Sequence, residues 1–77
     1  MKTIMISLNT IEKVKTFVNE VARFECDMDI VSGRYVIDAK SIMGIFSADL
    51  SKPLGLNIHA SDEEIEKVID ALEKYLA

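Results

Sequence analysis

Hydrophobic positions along this 77-residue chain switch between two periods. From Lys2 to Leu8 they alternate, with Ile4, Ile6 and Leu8 on one side, which predicts a half-buried strand. Ile11, Val14, Phe17, Val18, Val21 and Phe24 then recur at helical spacing, while Lys13, Lys15, Asn19, Glu20 and Arg23 fall outside that stripe. Asn9 is the predicted cap of this first helix, with Thr10 beside it at the helix start. Glu12 is its capping-box acid three residues on. Alternation returns over Cys26–Val31, breaks at Ser32-Gly33, and resumes over Arg34–Ala39, which predicts a hairpin. A short helix is predicted over Ser41–Leu50, ended by Pro53. Leu54, Leu56, Ile58 and Ala60 alternate as a fourth strand, with Asn57 and His59 on its other side. Ser61-Asp62-Glu63-Glu64 has the form of a capping box, and Ile65, Val68, Ile69, Leu72 and Leu76 are assigned to the last helix.

The order is β-α-β-β-α-β-α. Each strand has one apolar face, so one layer of helices suffices and the expected architecture is a two-layer α+β plait. The length fits a single domain over residues 1–77. Nothing reads as a linker, repeat or low-complexity segment.

Charge narrows the candidate functions. The formal net charge is −4 and the nine Lys and Arg are scattered, which argues against nucleic-acid binding. No apolar run approaches the ~20 residues of a membrane-spanning helix, and no signal-peptide pattern appears at the start. The single cysteine, Cys26, has no internal partner and fits a reducing, cytoplasmic setting. No Cys/His zinc spacing, phosphate-cradling glycine loop or catalytic triad is present, so neither a metal, a cofactor nor an enzymatic activity is expected. The acids Asp62, Glu63, Glu64 and Glu66 read as a solvated first helical turn rather than a metal site. His59 reads as a lone histidine on a solvated strand, with no acid or helix terminus identified beside it.

The densest chemical signal is Asp38-Ala39-Lys40-Ser41-Ile42-Met43-Gly44-Ile45-Phe46-Ser47. It leaves a strand, sets Ser41 at a helix start, and follows with apolar residues too widely spread to face one core. Ser41 is therefore a cap and a candidate regulatory phosphorylation site. Ile42, Met43 and Phe46 are candidate partner-binding residues.

Ala39-Lys40-Ser41-Ile42-Met43-Gly44 resembles the regulatory-serine motif of HPr, the histidine-containing phosphocarrier of the bacterial sugar phosphotransferase system. Phe17–Phe24 resembles that family's first helix, and Leu56–Glu64 its last strand and the start of its last helix. The resemblance implies an open-faced β-sandwich: a four-stranded antiparallel sheet of order 1-4-2-3 with three helices on one face. It also places the family's active-site histidine at Thr10, its arginine at Glu12 and its proline at Lys13. A threonine phosphate is a stable ester and a poor donor, and Glu12 puts negative charge where a phosphate needs positive charge. The resemblance thus implies a protein without the histidine chemistry, similar to the catabolite-repression HPr homologue. It would bind protein partners through Thr10, Glu12, Ile42, Met43 and Phe46, and an ATP-dependent kinase would modify Ser41. Those partners would be an HPr kinase, phosphotransferase components or a transcription regulator. Two alternatives stay open: an unmodified binding module or decoy for phosphotransferase proteins, and a phosphocarrier using an atypical residue.

Overall fold

The structure is a computed structural model and describes residues 1–77. Its elements are β1 (Lys2–Ile6), α1 (Ile11–Val21), β2 (Asp27–Ser32), β3 (Tyr35–Asp38), α2 (Ile42–Phe46), β4 (Leu54–His59) and α3 (Asp62–Ala71), followed by a 3-10 turn over Glu73–Tyr75. The four strands form one antiparallel sheet in the order β1-β4-β2-β3, so the expected architecture and strand order hold.

Register explains the layering. Ile6 lies opposite Leu54, Ile4 opposite Leu56, Met28 opposite Ile58, and Ile30 opposite both Leu56 and Ile37. These side chains share one face, and the helices cover it. Val14, Phe17 and Val21 of α1, Ile45 of α2, and Ile65 and Val68 of α3 complete a core of 16 buried residues. The other face stays open because most of its residues are small or polar (Thr3, Asp29, Gly55, Asn57 and His59), with Met5 and Val31 its partly exposed apolar members.

Three helix boundaries differ from the sequence expectation. The α1 cap is Thr10, not Asn9: Thr10 is extended, and its Oγ1 accepts a hydrogen bond from the Lys13 amide at 3.1 Å. Glu12 is then the second helical residue, and the expected capping box does not form. Helix α2 stops at Phe46 rather than Leu50. The Ser47 and Ala48 amides tighten onto carbonyls three residues back, and Ser47 Oγ donates to the Met43 carbonyl. Helix α3 ends at Ala71, so Leu76 is not on it. Leu76 instead bridges Ile6, the Ser7 amide donates to the Tyr75 carbonyl at 2.7 Å, and the Ala77 amide donates to the Met5 carbonyl at 3.1 Å. The Tyr75 ring meets Phe17 edge-on at 5.5 Å and its hydroxyl donates to Thr16 Oγ1 at 2.7 Å. These contacts hold the C-terminal segment along the outer edge of β1.

Candidate functional site

The turn from β3 into α2 is built almost wholly from local hydrogen bonds. The Ala39 amide donates to the Met28 carbonyl at 3.1 Å, which keeps the chain on the sheet, and the Ala39 side chain is buried. Asp38 Oδ1 accepts from the Lys40 amide at 2.9 Å, and the Asp38 carbonyl accepts from the Ser41 amide at 3.0 Å. This aspartate turn redirects the backbone off the strand. Ser41 is extended and half-buried, and its Oγ accepts from the Gly44 amide at 3.2 Å, capping α2.

Gly44 is fixed by space. A Cβ added there would lie 2.8 Å from Ile37 Cγ2 and 3.1 Å from Ser41 Oγ. Its absence lets α2 rest on β3 and leaves room at the serine hydroxyl. Lys40 supplies the remaining tie: its Nζ donates to the Phe24 carbonyl at 2.6 Å, just beyond the end of α1. The α2 start is thereby anchored at the C-terminal end of α1. Ile45 is buried beneath it, Ile42 is half-buried, and Met43 and Phe46 are 75% and 39% exposed. No acidic residue occupies the first turn of α2.

The start of α1 has a similar cap in different surroundings. Thr10, Ile11 and Glu12 are all exposed, and Glu12 sits in the first turn. Lys40 ties the α2 start to the chain just past the end of α1, whereas Thr10 and Glu12 belong to the start of α1. The structure therefore groups Ser41, Ile42, Met43 and Phe46 on one short helix and sets Thr10 and Glu12 at the start of another.

Two features escape sequence reasoning. Lys40 and Gly44 have structural duties visible only once Phe24 and Ile37 are known to be neighbours. His59 is not solitary: its Nε2 lies 2.8 Å from Asp29 Oδ2. Asn57 Nδ2 donates to Asp29 Oδ1 at 2.7 Å, and Thr3 Oγ1 donates to Asn57 Oδ1 at 2.6 Å. This chain of polar contacts crosses β1, β4 and β2 on the open sheet face. The acid was missed because it comes from a strand 30 residues away in sequence; only the β2–β4 register brings the two together.

No three His, Cys, Asp or Glu side chains converge in metal-binding geometry. Cys26 is half-buried, and burial first, then the Glu64 carboxylate, push its thiol pKa up, while Lys40 pulls it down. No helix is long and apolar enough to cross a membrane.

A one-layer sheet of order 1-4-2-3 under three helices, with a capped serine at its second helix, defines a small open-faced β-sandwich domain. The family model described as "PTS HPr component phosphorylation site" matches residues 12–77. The chain belongs to the HPr family of the phosphotransferase system and has that family's phosphocarrier fold. Among solved structures it is similar to HPr from Bacillus anthracis, with 30% identity, a TM-score of 0.72, and 99% of this chain and 94% of that one covered. It is also similar to HPr-C-His from Thermoanaerobacter tengcongensis, with 27% identity, a TM-score of 0.77, and 96% and 89% covered. The catabolite repression protein Crh of Bacillus subtilis, a swapped dimer, shares the fold at 24% identity and a TM-score of 0.64, with 94% and 87% covered. No curated protein matches the sequence.

Proposed function

We propose that this HPr-family protein acts in the cytoplasm by protein recognition rather than as a histidine phosphocarrier or an enzyme, and that phosphorylation of Ser41 switches it. The observation that carries this reading is the half-buried Ser41 hydroxyl at the start of α2, beside exposed Met43 and Phe46, with no carboxylate in that helical turn. A kinase would transfer the γ-phosphoryl group of ATP to Ser41 Oγ, releasing ADP and the hydroxyl proton. The added phosphate carries about −1.5 to −2 charges and lies next to an apolar docking strip, so it changes which partner surface is complementary.

The starts of α1 and α2 differ in a way that supports the same reading. Thr10 is two residues from Glu12 in the first turn of α1, so a phosphate there would meet negative charge, whereas the first turn of α2 carries no acid. The sole histidine, His59, lies on the open sheet face beside the Asp29 carboxylate and caps neither of these helices.

The test is incubation with an HPr kinase and ATP. One phosphate per chain is expected, and Ser41→Ala should abolish it; no incorporation under any effector overturns the switch. If instead the unmodified protein captures a phosphotransferase component equally well with and without Ser41, the chain is a passive binding module. An acid-labile adduct formed with phosphoenolpyruvate and the system's first enzyme would identify a carrier using an atypical residue.

A further inference from the structure

The end of the sheet that carries the β2–β3 turn borders a cleft of about 750 Å³. Register explains its position. Val31 of β2 lies opposite Gly55 of β4, and Ser32 lies opposite Tyr35 of β3. The Gly33-Arg34 turn and the Lys52-Pro53 approach to β4 therefore leave the sheet at the same end. Helix α2 stops at Phe46, and residues 47–53 carry the chain back to β4. That loop forms one wall of the cleft and β3 the other.

The lining divides by chemistry. Ile37 and Ala48 are half-buried and Leu54 is buried, so the floor is apolar. Tyr35 is two residues from Ile37 on the same side of β3, and it is 75% exposed. Its ring has no aromatic partner in the chain, where the paired rings are Phe17 and Tyr75. At the rim stand Arg34 from the turn and Lys52 from the loop. Neither has an ion-pair partner, since the only close ion pair in the chain is His59–Asp29. The one acid of the rim, Asp49, is engaged by its own loop: its Oδ1 accepts from the Ser51 amide at 3.1 Å and from the Ser51 hydroxyl.

An apolar floor, an unpaired ring and two unpaired cations define what fits. The floor and Tyr35 favour a flat apolar body, and the cations favour an anionic group on it. The guanidinium of Arg34 suits the paired oxygens of a phosphate or carboxylate. The chain's net charge of −4 repels anions overall, so attraction here depends on these local cations.

We infer that this cleft binds a small aromatic anion: a planar ring bearing a phosphate or carboxylate, with the ring against Tyr35 and the apolar floor and the anion drawn to Arg34 and Lys52. Such a ligand touches the flank of α2 that carries Gly44 and Ser47. The inference is independent of Ser41 phosphorylation and is tested on the unmodified chain.

Phenyl phosphate is the probe, titrated into the full chain and followed by amide chemical shifts. A dissociation constant of about 1 mM is expected for a ligand of this size. Shifts should gather at residues 33–37 and 47–54, with none at Thr10, Lys13 or His59. Benzoate should bind at the same residues, and the tighter of the two probes identifies the preferred anion. Phenol and inorganic phosphate each carry half of the chemistry and should bind about tenfold more weakly or worse. Arg34→Gln and Lys52→Gln should each weaken phenyl phosphate about tenfold, and Tyr35→Ser should weaken it while leaving inorganic phosphate unchanged. Asp49→Asn removes the competing charge and should bind at least as tightly as the parent. All four side chains are exposed, so these variants keep the fold, which their amide spectra verify. No shift by about 20 mM phenyl phosphate overturns the inference. So does equal binding of inorganic phosphate or phenol, a spread of shifts to the lysines of α1 and α3, indifference to both cation substitutions, or weaker binding in Asp49→Asn.

Discussion

The starts of α1 and α2 use one device and differ in everything around it. In each, a side-chain hydroxyl accepts from the amide three residues on: Thr10 from Lys13 at 3.1 Å, Ser41 from Gly44 at 3.2 Å. The cap on α1 stands in solvent with an acid in its first turn. The cap on α2 is half-buried, wedged against β3 by Gly44 and held to the α1 end by Lys40. A five-residue helix is too short to be stable by itself, so α2 exists because its surroundings hold it. A hydroxyl can therefore have the same local geometry and a different capacity: one opens an eleven-residue helix in solvent, and the other sits on a platform assembled from three elements.

The contrast breaks first at the third helical position. Gly44→Val would drive a branched side chain into Ile37 Cγ2, and overpacking of this kind costs about 2 kcal/mol. The corresponding change on α1, Lys13→Val, is near neutral, within about 0.5 kcal/mol. Urea denaturation compares the two midpoints. Equal shifts would mean that α2 does not depend on close contact with β3.

Lys40 is next. Lys40→Met keeps the aliphatic stem but deletes the charged hydrogen bond to the Phe24 carbonyl, a loss of about 1.5 kcal/mol by the same measurement. Cys26 reports the change separately. Its thiol pKa is held above the ordinary value by burial and by Glu64, and Lys40 opposes that rise. Removing the cation raises the pKa further and reduces the thiolate fraction at pH 8. Alkylation by iodoacetamide should slow in Lys40→Met, while Arg23→Met should leave the rate unchanged.

These dependencies mark the limit of what the sequence discloses. The strand and helix periods of Ile4, Ile6, Leu54, Leu56, Ile58, Val14, Phe17 and Val21 are strong because each of these residues faces one core. The strand order follows from the resemblance carried by Ala39–Gly44, and the structure agrees. Terminal boundaries were less legible. Asn9 and Thr10 are both good caps, and only the backbone path selects Thr10. Leu76 continues the helical stripe of α3 yet pairs with Ile6, because the 3-10 turn lets Tyr75 reach Phe17 and Thr16. Ser41 stood out by its neighbours in sequence. Its supports did not, since Lys40, Ala39 and Gly44 reach Phe24, Met28 and Ile37 only through the fold. Asp29 beside His59 was hidden for the same reason.

The smallest effect separates the two caps themselves. Removing a serine or threonine cap costs about 1 kcal/mol in general, because an amide loses its partner. At Thr10 the freed Lys13 amide lies at an exposed helix start, where water replaces the hydroxyl, so Thr10→Ala should fall at or below that figure. At Ser41 the freed Gly44 amide is only partly accessible, beside Ile37, and water replaces the hydroxyl less well. Ser41→Ala should therefore cost more than Thr10→Ala by a few tenths of a kcal/mol, about the spread expected between half-buried and solvated caps. Each change is measured by urea denaturation with Ser41→Gly and Thr10→Gly as controls, which separate the lost oxygen from altered backbone freedom. If Thr10→Ala proves the costlier, the α2 start is the looser of the two, and the platform assigned to Ser41 is not rigid enough to present a phosphate in one orientation.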